Sequence, residues 1–150
     1  MNIKLSLSSL LSLAMLLFFF MPWLQVAGGL VNYTGYEIPY TGKTLAIIFS
    51  TDTYLGNNNW SAYLAYLLYL LPAMAAYNIF RDLQKQKSLF VLSVLIPLVP
   101  LLIFISMFIK LGMGAFDHYD IGLYLSVLLG LVMLLHSFGL IGFSSKTSRR

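Results

Sequence analysis

The sequence predicts an all-α membrane protein: a four-transmembrane-helix bundle with a small β-containing extracytoplasmic loop between its first two helices. Three observations carry this. The 150 residues are 59% hydrophobic and 9% charged, whereas a soluble domain carries about 25% charged residues, so there is too little charge to coat a water-facing surface. Four apolar stretches each reach the roughly 20 residues that a helix needs to cross a bilayer. Basic residues also segregate to one side of those stretches. Mean hydropathy is +0.84, and the chain is read as a single integral membrane domain over 1–150.

The spans are placed at about 5–26, 60–80, 88–109 and 121–143. Soluble amphipathic helices show one apolar stripe, and these segments are apolar all round. Long unbroken apolar runs also exclude the dyad alternation of a membrane β-barrel. The first span follows Lys4 and precedes the small-residue stretch "VAGG", as a signal peptide would. Its apolar run is long for a signal, and Pro22-Trp23 fits an interfacial anchor, so it is read as a retained helix. Lys4, Arg81, Lys85, Lys87, Lys146, Arg149 and Arg150 lie on one side, seven of the nine basic residues. Lys43 and Lys110 lie on the other, with Glu37, Asp52, Asp117 and Asp120. Cytoplasmic loops carry the Lys and Arg excess, so both termini are expected in the cytoplasm of a bacterial inner membrane.

The first outer loop, about 28–59, is too long for a simple connector. Its aromatic and β-branched residues, punctuated by Gly28, Gly29, Gly35 and Gly42, predict two or three short strands, or a strand pair with a short helix. Trp23, Tyr33, Tyr36, Tyr40 and Tyr54 are the candidate partner-facing residues of this cap. The simpler reading is a compact lid with its tyrosines at the headgroup level. In the second outer loop Asp117, His118 and Asp120 stand together, and carboxylates with an imidazole can bind a divalent cation. The alternative is a polar loop in which Asp120 caps the fourth helix, and no metal site is assigned.

Polar side chains inside a span are functional candidates. His136 is the one ionisable group well inside a span, and Tyr77 and Asn78 sit at the same depth in span two. These three are the expected intramembrane polar contact. Gly122, Ser126 and Gly130 recur every four residues in span four, the small-residue spacing that lets helix backbones approach. Ala62, Ala65, Ala73 and Ala76 form a second small-residue face in span two. Both faces are expected to pack within the bundle, with homodimer contact as the alternative. Pro72, Pro97 and Pro100 are expected to kink spans two and three.

No phosphate loop, HExxH, GxSxG or intramembrane carboxylate pair is present. The chain has no cysteine, which excludes disulfides, thiolate metal sites and a cysteine nucleophile. No catalytic residue, cofactor or nucleic-acid partner is expected. The segment "MPWLQVAGG…TGYEIPYTG", through Pro22, Trp23, Val26, Gly35, Tyr36 and Gly42, resembles small uncharacterised bacterial four-transmembrane proteins. In these the first helix ends in Pro-Trp and a Gly-rich, Gly-Tyr-containing loop follows; the resemblance implies the layout and no activity. The layout is also similar, by analogy of architecture, to claudin-like tetraspan proteins, without the Trp-Gly-Leu-Trp-Cys-Cys run of their first loop. The expected function is a non-enzymatic accessory or interaction protein of the cell envelope, whose partners are the lipid bilayer and another membrane or envelope protein, or a second copy. The alternatives are a small channel or transporter subunit, and an immunity-type protein against a membrane-targeting toxin.

Overall fold

The computed structural model describes residues 6–26, 28–40, 65–85 and 89–140. Among these, four α-helices of 13 to 22 residues and one two-stranded antiparallel sheet form the fold. The helices are α1 (Leu7–Phe19), α2 (Leu70–Leu83), α3 (Phe90–Leu111) and α4 (Ile121–Ser137). The strands are β1 (Pro22–Val26) and β2 (Val31–Thr34). Among the described residues one helix is long and apolar enough to cross a membrane, over Phe90–Ile109 with mean hydropathy 2.7; Leu7–Phe19 and Ile121–Ser137 are shorter apolar helices.

Each helix starts where its chemistry allows. α1 begins at Ser6, whose Oγ accepts the Ser9 backbone N–H at 3.3 Å. Ser6's own N–H is taken by Asp82 Oδ2 of α2 at 2.7 Å. This is a capping box completed in trans: a carboxylate from the neighbouring helix fills the role that a Glu at the third helical position plays locally. α2 is preceded by a 3₁₀ segment over Ala65–Tyr69. Pro72 falls in the first turn of α2, where its missing N–H leaves no intrahelical bond unmade. α4 is capped by Asp120, whose Oδ1 accepts the Ile121 N–H at 2.6 Å. α2 ends with Lys85 at φ 59° and α4 is followed by Gly139 at φ 72°, the left-handed C-terminal geometry that satisfies the last carbonyls.

The first predicted span needs correction at its C-terminal end. Pro22–Val26 lie in strand β1, not in helix. Proline's ring clashes with the carbonyl four residues back, so the helix closes at Phe20. The chain reverses through 28–30, where Gly28 and Gly29 adopt φ +67° and +88°, positions that L side chains rarely take. β1 then pairs with β2 in the register Leu24↔Tyr33, Gln25↔Asn32, Val26↔Val31, with an irregularity between Pro22 and Leu24.

The helices close a ring. α1 packs on α2 and on α4; α3 packs closely on α4 and more sparsely on α2. α2 and α4 therefore stand on opposite corners. The core runs through Met15, Phe19, Trp23, Leu71, Ala75, Ile96, Leu123 and Met133. The small residues of α4 mark its closest approaches: a Cβ at Gly122 would overlap the Pro22 carbonyl oxygen, and one at Gly130 would sit 3.2 Å from Pro97. Ser126 is buried between them and donates to the Gly122 carbonyl at 2.7 Å.

Candidate functional site

Two polar constructions stand out, one at each end of the bundle. At the end that carries the sheet, β1 is the middle element of a knot that joins both loops. On one side it pairs with β2. On the other, Gln25 N donates to His118 O at 2.8 Å and Asp120 N donates to Trp23 O at 2.9 Å. Side chains repeat the tie: Gln25 Nε2 donates to Asp117 O at 3.1 Å, and His118 Nδ1 lies 3.2 Å from Gln25 O. Tyr119 is buried beneath them, its ring 4.5 Å from that of Phe104 and its hydroxyl donating to Phe104 O at 2.7 Å. Burial pushes the Tyr119 phenol above its ordinary pKa.

Asp117, His118 and Asp120 thus work as loop-to-loop ties and as a helix cap, and no group of three His, Cys, Asp or Glu among the described residues is disposed to hold a metal. Trp23 is a correction. It was expected to face a partner at the interface and is fully buried. Its indole N–H donates to Phe18 O at 2.8 Å, a carbonyl in the last turn of α1 that also accepts the Met21 N–H at 3.1 Å. Its ring meets Phe19 edge-on at 5.9 Å. Gly35 lets β2's exit pass over both, because a Cβ there would come within 2.9 Å of either ring.

The rest of the predicted cap divides. Tyr33 is half-buried. Tyr36 is half-exposed, stacked on Phe20 at 6.1 Å, and its carbonyl accepts the Tyr69 hydroxyl at 3.2 Å. Tyr40 and Leu30 are 82% and 86% exposed. Tyr54 and Ala62 lie outside the described residues. One signal in the cap went unread: Thr34-Gly-Tyr-Glu37 is a capping box. Glu37 Oε2 accepts from Thr34 N at 2.9 Å, while Thr34 Oγ1 accepts from Glu37 N at 3.2 Å, opening the helical turn at 37–40 that presents Tyr40.

At the opposite end of the bundle, hydroxyls from three helices converge on Asn78 and its neighbours. Asn78 is fully buried, and its Nδ2 donates to Ser12 Oγ at 2.9 Å and Ser8 Oγ at 3.1 Å. Ser8 Oγ lies 3.3 Å from Ser93 Oγ of α3, and Ser137 Oγ of α4 reaches the Ser93 carbonyl at 3.3 Å. Asn78 Oδ1 is buried with no hydrogen-bond partner. Ser12 Oγ–H is already given to Ser8 O at 2.9 Å, so Ser12 can only accept, which fixes the amide's orientation. Asp82, one turn on from Asn78, is held below its ordinary pKa, first by the Ser6 backbone N–H and then by the Ser9 and Ser6 hydroxyls.

The expected trio of His136, Tyr77 and Asn78 is therefore corrected. Asn78 faces α1, and its amide makes no bond to His136, because α2 and α4 stand at opposite corners. Tyr77 is half-exposed, and His136 is half-buried in the last turn of α4. The alanine face is corrected too. Ala73 and Ala76 point outward, and α2 buries Leu71, Ala75 and Asn78 instead; Ala65 opens the 3₁₀ segment. The missed residues were legible in principle. Ser8, Ser9 and Ser12 are the buried polar residues of an otherwise apolar α1, and isolated hydroxyls in an apolar helix find partners on neighbouring helices.

Comparison with protein families, with characterised proteins and with solved structures finds no match to this chain.

Proposed function

We propose that this chain is a four-span integral protein of the bacterial inner membrane, with cytoplasmic termini, acting as a non-enzymatic accessory that docks another membrane or envelope protein through its outer cap. The observation that carries the membrane part is an inverted polarity. Ser8, Ser9, Ser12, Asn78, Ser93 and Ser126 are buried, while Leu17, Phe20, Leu67, Leu102, Ile109 and Leu128 are between 55% and 76% exposed. In water both halves of that arrangement are costly: exposed apolar surface on this scale is avoided, and buried polar groups lose hydration. In hydrocarbon both are favourable, since polar groups pair inside and alkyl groups meet lipid. α1, α2 and α4, at 13, 14 and 17 residues, are shorter than a full crossing, and in this reading flanking residues complete their paths.

The docking part rests on the cap. Its backbone is fixed by hydrogen bonds between two loops, and from this platform it presents Leu30, Tyr36 and Tyr40 outward. Rigid aromatic groups on a pre-organised surface bind at low entropic cost.

The native absence of cysteine makes the test direct. Single cysteines at Leu30 and Lys85 in intact cells should react with a membrane-impermeant maleimide at Leu30 only. A photo-crosslinking residue at Tyr40 should then trap one recurrent protein. Labelling of Lys85 from outside overturns the topology. Recovery of the uncrosslinked chain alone, at native expression, overturns the docking function.

A further inference from the structure

The loosest seam in the ring is that between α2 and α3. A cavity of about 670 Å³ opens there to the side and reaches up to the cap, lined by Ile38 of the cap, Met74 of α2 and Leu95, Val99, Leu102 and Ser106 of α3. The residues on α3 are spaced four, three and four apart, so they form one helical face. The single hydroxyl in the wall is turned away, since Ser106 Oγ donates to its own helix at Ile103 O, 2.9 Å. The lining offers water no partner, so the space is a hydrocarbon site, and its size lies within the ~300–1,000 Å³ of ordinary ligand pockets.

What stands at the foot of the seam identifies the occupant. Arg81 follows Met74 by seven residues, which places it on the same face of α2 and about 10 Å toward the cytoplasmic end. Its Nε is buried with no hydrogen-bond partner, and no ion pair is made to it among the described residues. The adjacent carboxylate does not neutralise it, because Asp82 is turned to α1 and takes the Ser6 N–H. A half-buried, unpaired guanidinium is a fork with unused donors, the geometry that selects phosphate. Lys85 is exposed one turn further on and adds positive charge to the same end.

We propose that the α2–α3 seam binds an anionic phospholipid of the inner leaflet, with an acyl chain in the cavity and the phosphate on Arg81. The groove from Leu95 to Ser106 rises about 16 Å along α3, roughly half of a hydrocarbon core of ~30 Å, which is the reach of one leaflet's chain. Basic pockets between membrane helices on the cytoplasmic side are sites of this kind. The inference rests on the membrane reading above and goes beyond it by naming a ligand.

The test uses the full chain, purified in mild detergent, stripped of lipid and titrated with phosphatidylglycerol or with phosphatidylcholine of the same acyl composition, bound lipid being counted by native mass spectrometry. One phosphatidylglycerol should bind about tenfold more tightly than phosphatidylcholine, a difference of about 1.4 kcal/mol. Arg81→Gln should erase that preference. Leu102→Trp, which fills the cavity from its exposed wall, should weaken both lipids while keeping the preference. Equal binding of the two lipids, or an unchanged preference in Arg81→Gln, overturns the site. So does quantitative crosslinking of Leu102→Cys to a second copy or another protein in native membranes, which would mean that a helix fills the seam. A chain that resists carbonate extraction but shows no lipid preference sinks the lipid site alone; a chain that carbonate releases sinks the membrane reading.

Discussion

Gly122→Ala tests the packing of α4 most sharply, because the structure supplies its own control at Gly130. Both glycines are buried on one face of α4. In a helix interior, alanine is favoured over glycine by about 1 kcal/mol. At Gly130 that gain is largely offset: the new Cβ would meet the Pro97 side chain and carbonyl at 3.2 Å, a contact relieved by a shift of a few tenths of an ångström. At Gly122 the Cβ would overlap the Pro22 carbonyl and come within 2.8 Å of the Met21 Cβ. That corner cannot retreat freely, since Trp23 O holds Asp120 N at 2.9 Å and Gln25 N holds His118 O at 2.8 Å. Overpacking against fixed backbone costs about 1–3 kcal/mol, and loss of one of those hydrogen bonds adds about 1 kcal/mol. Gly122→Ala should therefore be destabilising by about 2 kcal/mol, with Gly130→Ala within about 0.5 kcal/mol of the native chain. Reversible unfolding in mixed micelles, titrated with SDS, measures both. Equal shifts for the two variants would refute the placement of α4 against the α1–β1 corner.

The remaining expectations concern the two polar constructions and the caps. Asn78→Ala loses two interhelical hydrogen bonds worth about 0.6 kcal/mol each but also removes an orphaned buried acceptor that costs about 1–3 kcal/mol, so it should be nearly neutral in the same unfolding titration, whereas Asn78→Asp, which buries a charge, should be strongly destabilising. Asp82 has a folded pKa below its unfolded value, so its contribution is fully present above the unfolded carboxyl pKa and disappears as pH falls through the folded one; stability should decline on acidification below about pH 4, and Asp82→Asn should remove that slope at a cost of only about 0.5 kcal/mol, discounted for solvent. Trp23→Phe should cost about 1 kcal/mol through the lost bond to Phe18 O, and Trp23→Ala about 3–5 kcal/mol through its cavity, both read as shifts in Tm. Lys85→Gly should raise stability by about 1 kcal/mol by relieving a left-handed residue that carries a Cβ.

The order of the four described helices follows from hydropathy, because period and length are local properties. The ends do not, and the reasons differ. Pro22 is visible as a helix stop in any sequence, yet assigning Pro22–Val26 to a strand requires knowing that β2 and residues 118–120 flank it on both sides. Hydropathy cannot distinguish an apolar strand at a membrane edge from the last turn of a helix. Trp23 shows the same limit. An indole near a predicted interface can give its N–H to water or to a backbone carbonyl, and here the last turn of α1 offers Phe18 O within the same chain. The alanines of α2 misled for a related reason, since small size marks close approach only where a neighbour exists. The side of α2 that meets α1 is set by Asn78, not by Ala73 and Ala76.

That choice explains why the ring closes as it does. An amide in an apolar helix must find partners or pay several kcal/mol, and the sequence offers Asn78 a partner at its own depth in His136. The serines of α1 outcompete it for a geometric reason. Ser8 and Ser12 are spaced four apart and so stack on one face, presenting two hydroxyl oxygens to the two hydrogens of one amide, 3.1 and 2.9 Å away. Asp82, four residues beyond Asn78, continues the same face of α2 and captures the start of α1. Two contacts a helical turn apart fix both the pairing and the register of α1 on α2. With α1 committed to α2, and its far side closed by the Gly122 contact, α3 is left to bridge α4 and α2. It fits the small-residue face of α4 through Pro97 and Gly130, and finds no matching small or polar residues on α2. The open α2–α3 seam is thus a consequence of where the polar and small residues were placed, and the unpaired Arg81 at its foot is what gives that seam a chemical preference.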